Sequence, residues 1–153
     1  MRPLFITAAL LGATPAPAAA AEICAVVDRI VAASRETPAF ATLEEAIGRG
    51  EVVIPGFDPE DCRVSSGLSI ECSAWSMDRR PGDWASIADC PGAVPAPPPE
   101  RRRRRIGDVR HYYSISGVRI SFGVGCMVCA GPAIRGFIAM PEAGEPPGGR
   151  PAG

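Results

Sequence analysis

A stretch of proline and arginine interrupts the chain between residues 91 and 105. Five of the nine residues in 91–99 (PGAVPAPPP) are proline, and such a run favours an extended polyproline conformation without internal hydrogen bonds. Five consecutive arginines follow at 101–105, and adjacent like charges repel one another. We therefore expect 91–105 to be one exposed loop, so that the fold is assembled from the residues on either side of it.

Residues 1–21 have the three parts of a secretory signal peptide. Arg2 precedes an apolar stretch at 4–12 (LFITAALLG), and three alanines at 19–21 provide a cleavage site before Glu22. The apolar stretch is well short of the ~20 residues that a membrane span requires, and no later segment qualifies. We expect an exported protein without a transmembrane span in its mature chain. Both the periplasm and the surrounding medium remain open as destinations.

The final residues, 141–153, include eight prolines or glycines among thirteen. They contain no apolar side chain larger than Ala or Pro, so burial cannot offset the entropy of ordering them. This composition predicts a disordered tail. The remaining residues, 22–140, are expected to form a single domain interrupted by the 91–105 loop, and the ~100 residues outside that loop are enough for one modest core.

The first part of this domain is predicted to contain three short helices. An apolar stripe predicts a helix that runs to about Arg35, and its members are Ile23, Val26, Val27, Ile30 and Val31. Thr42 and Glu45 have the spacing of a capping box, which indicates a second helix through Ile47. Trp84 and Ile87 indicate a third helix that ends at Cys90.

Residues 62–74 alternate between apolar and polar side chains around Gly67, which predicts a β-hairpin. A loop of residues 65–67 would place Gly67 where a left-handed conformation is needed. A loop of residues 66–68 would instead place Arg63 opposite Glu71 and Cys62 opposite Cys72. Turn chemistry favours the first register, whereas the charges and the cysteines favour the second, which we prefer.

A second hairpin is predicted after the loop. Apolar residues alternate from Tyr113 to Val124 with a change of phase that a bulge at Gly117 would explain. Residues 134–140 are a second, largely apolar run. The order of elements predicts an α+β fold in which a small antiparallel sheet of two hairpins carries helices on one face and is braced by disulfides.

Six cysteines in an exported chain indicate disulfide bonds. We expect a bond across the first hairpin between Cys62 and Cys72, a bond between Cys24 and Cys90 that ties two helices together, and a bond between Cys126 and Cys129 in the loop of the second hairpin. Fifteen connectivities are possible for six cysteines, so this pairing is one hypothesis among them.

Cys126 and Cys129 also have the C-x-x-C spacing of thiol–disulfide catalysts. In such proteins the first cysteine begins a helix whose dipole lowers the pKa of the thiol. Pro132 and Gly136 follow the motif here, and residues 134–140 resemble a strand, so no helix is predicted at this place. A clasp within a loop is the favoured interpretation, and a redox protein is the alternative.

Catalytic and metal-binding patterns are not apparent in the sequence. His111 is the only histidine, which excludes a multi-histidine metal site, and we interpret it as a half-exposed surface residue. No G-x-S-x-G nucleophile motif and no calcium-binding loop occur. The acidic residues Asp58, Glu60 and Asp61 are interpreted as solvated surface. We therefore expect neither an enzyme nor a bound cofactor or metal.

Charge is divided unevenly along the chain. The five clustered arginines fit an anionic surface or an envelope protein as partner, and they are Arg101, Arg102, Arg103, Arg104 and Arg105. No aromatic residues interleave them and the net charge is only −1, so nucleic acid is not an expected partner. The chain contains arginine but no lysine, which is also consistent with the codon bias of a GC-rich genome. Under that interpretation the arginines at 101–105 have no specific role.

These observations favour a small exported, disulfide-stabilised protein that acts as a non-catalytic binding, inhibitor or envelope accessory module. Two alternatives stay open. One is a redox protein that uses Cys126 and Cys129, and the other is a structural envelope protein with no discrete ligand. The oligomeric state is left open by the sequence.

Overall fold

A computed structural model of the chain describes residues 18–65, 67–76, 82–99, 109–126 and 133–142. Two α-helices, α1 (Ala18–Ala33) and α2 (Ala41–Gly48), and two 3₁₀ helices (Pro59–Asp61 and Gly82–Asp89) accompany six strands. The strands are β1 (Cys62–Ser65), β2 (Ser69–Ser76), β3 (Val94–Pro95), β4 (Val109–Ile115), β5 (Val118–Cys126) and β6 (Ala133–Pro141). The predicted α+β class agrees with this architecture.

All six strands form one antiparallel sheet in the order β1-β2-β6-β5-β4-β3. The expected pair of hairpins is therefore too simple a description. β1 pairs with β2 and β5 with β6 as the two predicted hairpins, but β2 also pairs with β6, and β4 and β3 extend the sheet beyond β5. Sequence alternation cannot reveal the β2–β6 pairing, because those strands are distant in the chain and approach one another only when both bury one face.

The first hairpin adopts the second of the two predicted registers. Arg63 lies opposite Glu71, and Cys62 lies opposite Cys72. Gly67 has a φ of 83° within the loop of residues 66–68, so its left-handed conformation is accommodated in this register as well. The cross-strand pairs therefore indicated the register correctly.

The predicted bulge at Gly117 is wrong. Ile115 pairs with Val118, so the chain reverses through the two residues between them. Ser116 and Gly117 have φ angles of 50° and 82°, and positive φ at both central residues is typical of a two-residue type I′ hairpin turn. The apolar phase changes because β4 ends and β5 begins, not because one strand contains an extra residue.

The core lies between one face of the sheet and the helices. The five residues of the predicted α1 stripe are buried, and they pack in one cluster with strand residues that share a face by register, among them Ile70, Ile120 and Phe137. Trp84 packs against Phe137 with ring centroids 4.4 Å apart, and its Nε1 donates to the carbonyl oxygen of Pro55 at 2.8 Å. This single polar contact satisfies the indole of a fully buried ring.

Two of the three predicted disulfide bonds are present among the described residues. Cys24–Cys90 links α1 to the 3₁₀ helix Gly82–Asp89 across 66 residues of sequence, and Cys62–Cys72 bridges β1 and β2. Cys129 lies outside the described residues, so the third bond stays a prediction. Residues 1–17, 100–108 and 143–153 also lie outside them, so the signal peptide, the arginine run and the tail stay predictions. The described ends of these segments are ordered, since residues 18–21 begin α1 and Pro141 ends β6.

Part of the predicted proline loop is built into the sheet. Residues 94–95 form β3 beside β4, and the amide of Ala96 donates to the carbonyl oxygen of Tyr112 at 2.8 Å. The prolines on either side lack the N–H groups that a further strand would need. This short, proline-rich strand therefore closes one edge of the sheet.

Candidate functional site

The antiparallel order brings several chain segments to the same end of the sheet. β2 ends at Ser76 and β6 begins at Ala133 directly opposite it, while Cys126 at the end of β5 also faces Ala133. β4 begins beside them at Val109, which faces Val124. We call this end of β2, β6, β5 and β4 the basic end, because Arg110 and Arg135 lie there.

Arg110 lies on the face of the sheet that points away from the helices. It is opposite Gly123 on β5, and a Cβ atom added to Gly136 on β6 would lie 3.2 Å from its Nη2. The side chain therefore crosses β5 and rests over the glycine of the next strand. The two glycines form a shallow trough that positions this guanidinium group at the basic end.

Arg135 is on the opposite, helix-facing side of the same end. Its Nη2 donates to Ser76 Oγ at 3.3 Å, and its Nη1 lies 3.3 Å from the position of a Cβ atom on Gly56. The guanidinium groups of Arg110 and Arg135 thus lie on the two faces of one sheet end. Neither arginine was a sequence-based site candidate, although an arginine within the apolar run 134–140 could have drawn attention.

A shallow cavity of about 240 Å³ adjoins Arg110 between β4 and the proline segment, and Pro95, Pro98, His111 and Tyr112 are among its lining residues. The imidazole of His111 stacks on Phe122 with centroids 5.2 Å apart, and its residue is exposed. No carboxylate or thiol lines the described part of this cavity. The arrangement offers a cation, an imidazole and aromatic faces for contact.

The predicted anion-binding arginines 101–105 lie outside the described residues, yet the chain connects them to this end. After β3 the chain runs toward the basic end as far as Pro99, and the next described residue is Val109 at the start of β4. Residues 77–81 and 127–132 are also connected to the basic end, because they follow Ser76 and Cys126 in the chain. Residues 101–105 and residues 127–132 are therefore both connected to the same end of the sheet.

A second cavity, of about 410 Å³, lies at the β1 edge between α2 and the 3₁₀ helix Pro59–Asp61. Its lining includes the carboxylate residues Glu44, Glu60 and Asp61 together with Arg63. This acidic surface is at the opposite edge of the sheet from β3 and β4. Within the described ranges no three side chains of His, Cys, Asp or Glu come together as metal ligands.

Cys126, the first cysteine of the C-x-x-C motif, is the last residue of β5. A strand end does not supply the helix dipole that lowers the pKa of a catalytic thiol. Cys129 lies outside the described residues, so the geometry of the motif itself is not described.

Comparison with models of protein families, with curated proteins and with solved structures finds no match for this chain. No activity or ligand can therefore be inferred for this chain from a relative. Among the helices in the described part of the chain, none is long and apolar enough to cross a membrane.

Proposed function

We propose that this protein is an exported, non-catalytic binding module that attaches to an anionic surface through its basic end. The observation that carries the proposal is the placement of Arg110 and Arg135 on the two faces of the end to which residues 101–105 are connected. Cations gathered on one side of a small protein attract polyanionic surfaces, including membranes with acidic headgroups.

The distribution of charge along the chain supports this proposal. Residues 18–76 contain four arginines and ten acidic residues. The strand ends and segments of the basic end (77–81, 100–111 and 127–135) contain nine arginines and three acidic residues. A molecule with such separated charges is oriented by an anionic surface, since the acidic part is repelled while the basic end is attracted.

The rigid scaffold supports a binding role as well. Two disulfides and a core built on Trp84, Phe122 and Phe137 hold the sheet from which the loops emerge. Loops on a rigid scaffold commonly carry recognition. The described surroundings of His111 hold no nucleophile or carboxylate that would suggest catalysis instead.

Binding to vesicles tests the proposal directly. We expect the oxidised protein to bind vesicles that contain phosphatidylglycerol at low salt, and to bind phosphatidylcholine vesicles far more weakly. Replacement of Arg102, Arg103 and Arg104 by Ser should weaken this binding about 100-fold, because each arginine near an anionic surface contributes about 1 kcal/mol.

A matched control removes the same charge elsewhere. Substituting Ser for Arg29, Arg35 and Arg63, which belong to the acidic half, changes the net charge equally and should leave binding within about threefold of the original, since these residues are remote from the anionic surface. Equal losses in both triple variants would contradict a localised site. An absence of vesicle binding at low salt would reject the anionic-surface proposal and favour an envelope protein as partner.

A further inference from the structure

An exposed tryptophan lies beside the Arg110 guanidinium group on the face of the sheet that points away from the helices, the outward face. Trp75 on β2 is 68% exposed and lies opposite Ile134 on β6, which is partly exposed. Gly136, over which the guanidinium group lies, is the diagonal neighbour of Trp75. Diagonal neighbours are about 7–8 Å apart, within reach of aromatic and long side chains. This corner of the basic end therefore combines an aromatic ring, an aliphatic side chain and a cation.

The apolar side chains of this corner lie nearer the end of the sheet than the cation does. Trp75 and Ile134, the apolar pair, face each other one residue inside the place where β2 ends and β6 begins. The Arg110 guanidinium group lies at the level of Gly136, two residues further along β6. Two residues of a strand span roughly 7 Å. The cation is therefore set back from the apolar pair by that distance.

The helix-facing side of the same end also has an exposed apolar residue and an arginine. Val109 at the start of β4 is 58% exposed, and it belongs to the same cross-strand row as Val124 and Arg135. An exposed apolar side chain and a guanidinium group thus occur on each face of the basic end. It is the end of the sheet, and not one of its faces alone, that combines the two.

We propose that the basic end enters the headgroup region of an anionic lipid bilayer, with the apolar pair inserted and Arg110 at the level of the lipid phosphates. This inference rests on the proposed function and specifies the anionic surface. Proteins that bind the membrane interface bury apolar side chains about 5–10 Å into the boundary between headgroups and acyl chains. Tryptophan is enriched at that boundary because its ring is apolar and carries one polar N–H.

The separation between the apolar pair and the cation favours a bilayer over other polyanions. A step of roughly 7 Å lies within the depth to which interfacial side chains are buried. An acidic polysaccharide would attract the arginines equally well, but it has no apolar layer that could receive the Trp75 ring. A bilayer offers both layers in the required order, with the phosphates outside and the acyl chains inside.

Charges further along the outward face limit how deep the end can go. Glu71 is exposed and lies four residues before Trp75 on β2, about 13 Å away along the strand. Arg119 on β5 is paired with Glu142, with Nε 3.6 Å from Oε1. Anionic headgroups repel carboxylates, so these acidic residues should stay outside the headgroup layer. Insertion is therefore confined to the rows nearest the basic end.

Tryptophan fluorescence of the oxidised protein measures the insertion. The chain has two tryptophans, and Trp84 is 2% exposed in the core, so the difference between wild type and Trp75→Phe isolates the emission of Trp75. We expect vesicles that contain phosphatidylglycerol to shift this emission to shorter wavelength at low salt. Lipids brominated in their acyl chains should quench it.

Affinities measured with a matched control test the same inference. Trp75→Ser should weaken binding to these vesicles at least about 10-fold, because the ring loses its burial among the lipids. Its binding to dextran sulfate, a soluble polyanion, should stay within about twofold of wild type. Leu68→Ser is the control, since Leu68 is similarly exposed at 70% but lies in the first hairpin loop, at the opposite end of β2. Both affinities of this variant should stay within about twofold.

The possible outcomes separate the inference from the proposed function. Vesicle binding without a shift or quenching of Trp75 emission would overturn the insertion and leave the proposed function standing. Equal vesicle affinities of Trp75→Ser and Leu68→Ser would overturn it in the same way. An absence of vesicle binding at low salt would reject the proposed function and the insertion together.

Discussion

Glu36 caps the second helix from outside it, in place of the capping box expected from Thr42 and Glu45. Phe40 occupies the position before α2 with a φ of 65° and makes no side-chain cap. The Glu36 carboxylate instead accepts hydrogen bonds from the hydroxyl of Thr42 and from its amide, the latter at 2.9 Å. The left-handed conformation of Phe40 redirects the chain ahead of α2. As a result Thr42 is bonded to Glu36, six residues before it, and not to Glu45, three residues after it.

These hydrogen bonds give the cap a pH dependence. The Thr42 hydroxyl and then its amide lower the pKa of Glu36 from its ordinary value of 4.5. A depressed pKa in the folded state stabilises the protein above the unfolded value, and the contribution is lost as the pH falls through the folded value. We expect Glu36→Gln to lower the free energy of unfolding at pH 7, and the difference from wild type to shrink below about pH 4. Urea denaturation at pH 7 and pH 3 measures this, and an equal difference at both values would contradict the cap.

At the scale of elements, the pairing of β4 with β5 depends on Gly123. A Cβ atom at this position would lie 2.1 Å from the carbonyl oxygen of Val109 and 2.8 Å from the Cα of Arg110. Both contacts are with the backbone of the neighbouring strand, so the strands would have to separate. The absence of a side chain at Gly123 is therefore a requirement of the sheet and of the position of Arg110.

We expect Gly123→Ala to destabilise the protein by about 2 kcal/mol or more, because overpacking against backbone cannot be relieved by a rotamer change. Gly48→Ala is the control, since nothing lies within 4 Å of a Cβ atom there. Its effect should stay within about 1 kcal/mol. Chemical denaturation of both variants measures the difference, and similar stabilities would show that β4 and β5 adjust more easily than their geometry implies.

At the scale of the whole molecule, the two disulfides constrain very different lengths of chain. Cys24–Cys90 closes 66 residues and joins α1 to the 3₁₀ helix beneath the sheet, whereas Cys62–Cys72 closes only 10 within one hairpin. Closing a longer loop removes more conformational entropy from the unfolded state. The long bond is therefore expected to stabilise the folded state more than the short one.

Removal of the long bond should cost more stability than removal of the short one. The loop-closure relation gives about 4 kcal/mol for Cys24→Ser/Cys90→Ser and about 3 kcal/mol for Cys62→Ser/Cys72→Ser. Equilibrium unfolding of the two double variants compares them under identical conditions. The reverse order would indicate that the hairpin bond supports more of the sheet than its loop length implies.

Local patterns in the sequence predicted the α1 stripe and the preferred register of the first hairpin, and two of the disulfide pairings chosen from fifteen connectivities are present in the structure. The stripe and the register follow from residues near one another in the chain. The turn at Ser116 and Gly117 is local, and the change of phase signalled it, but that signal was interpreted as a bulge. The union of β2 with β6 was decided by tertiary structure, because pairing between distant strands depends on which faces are buried together. The same pairing determines which segments share the basic end, so this candidate surface became visible only in the folded molecule.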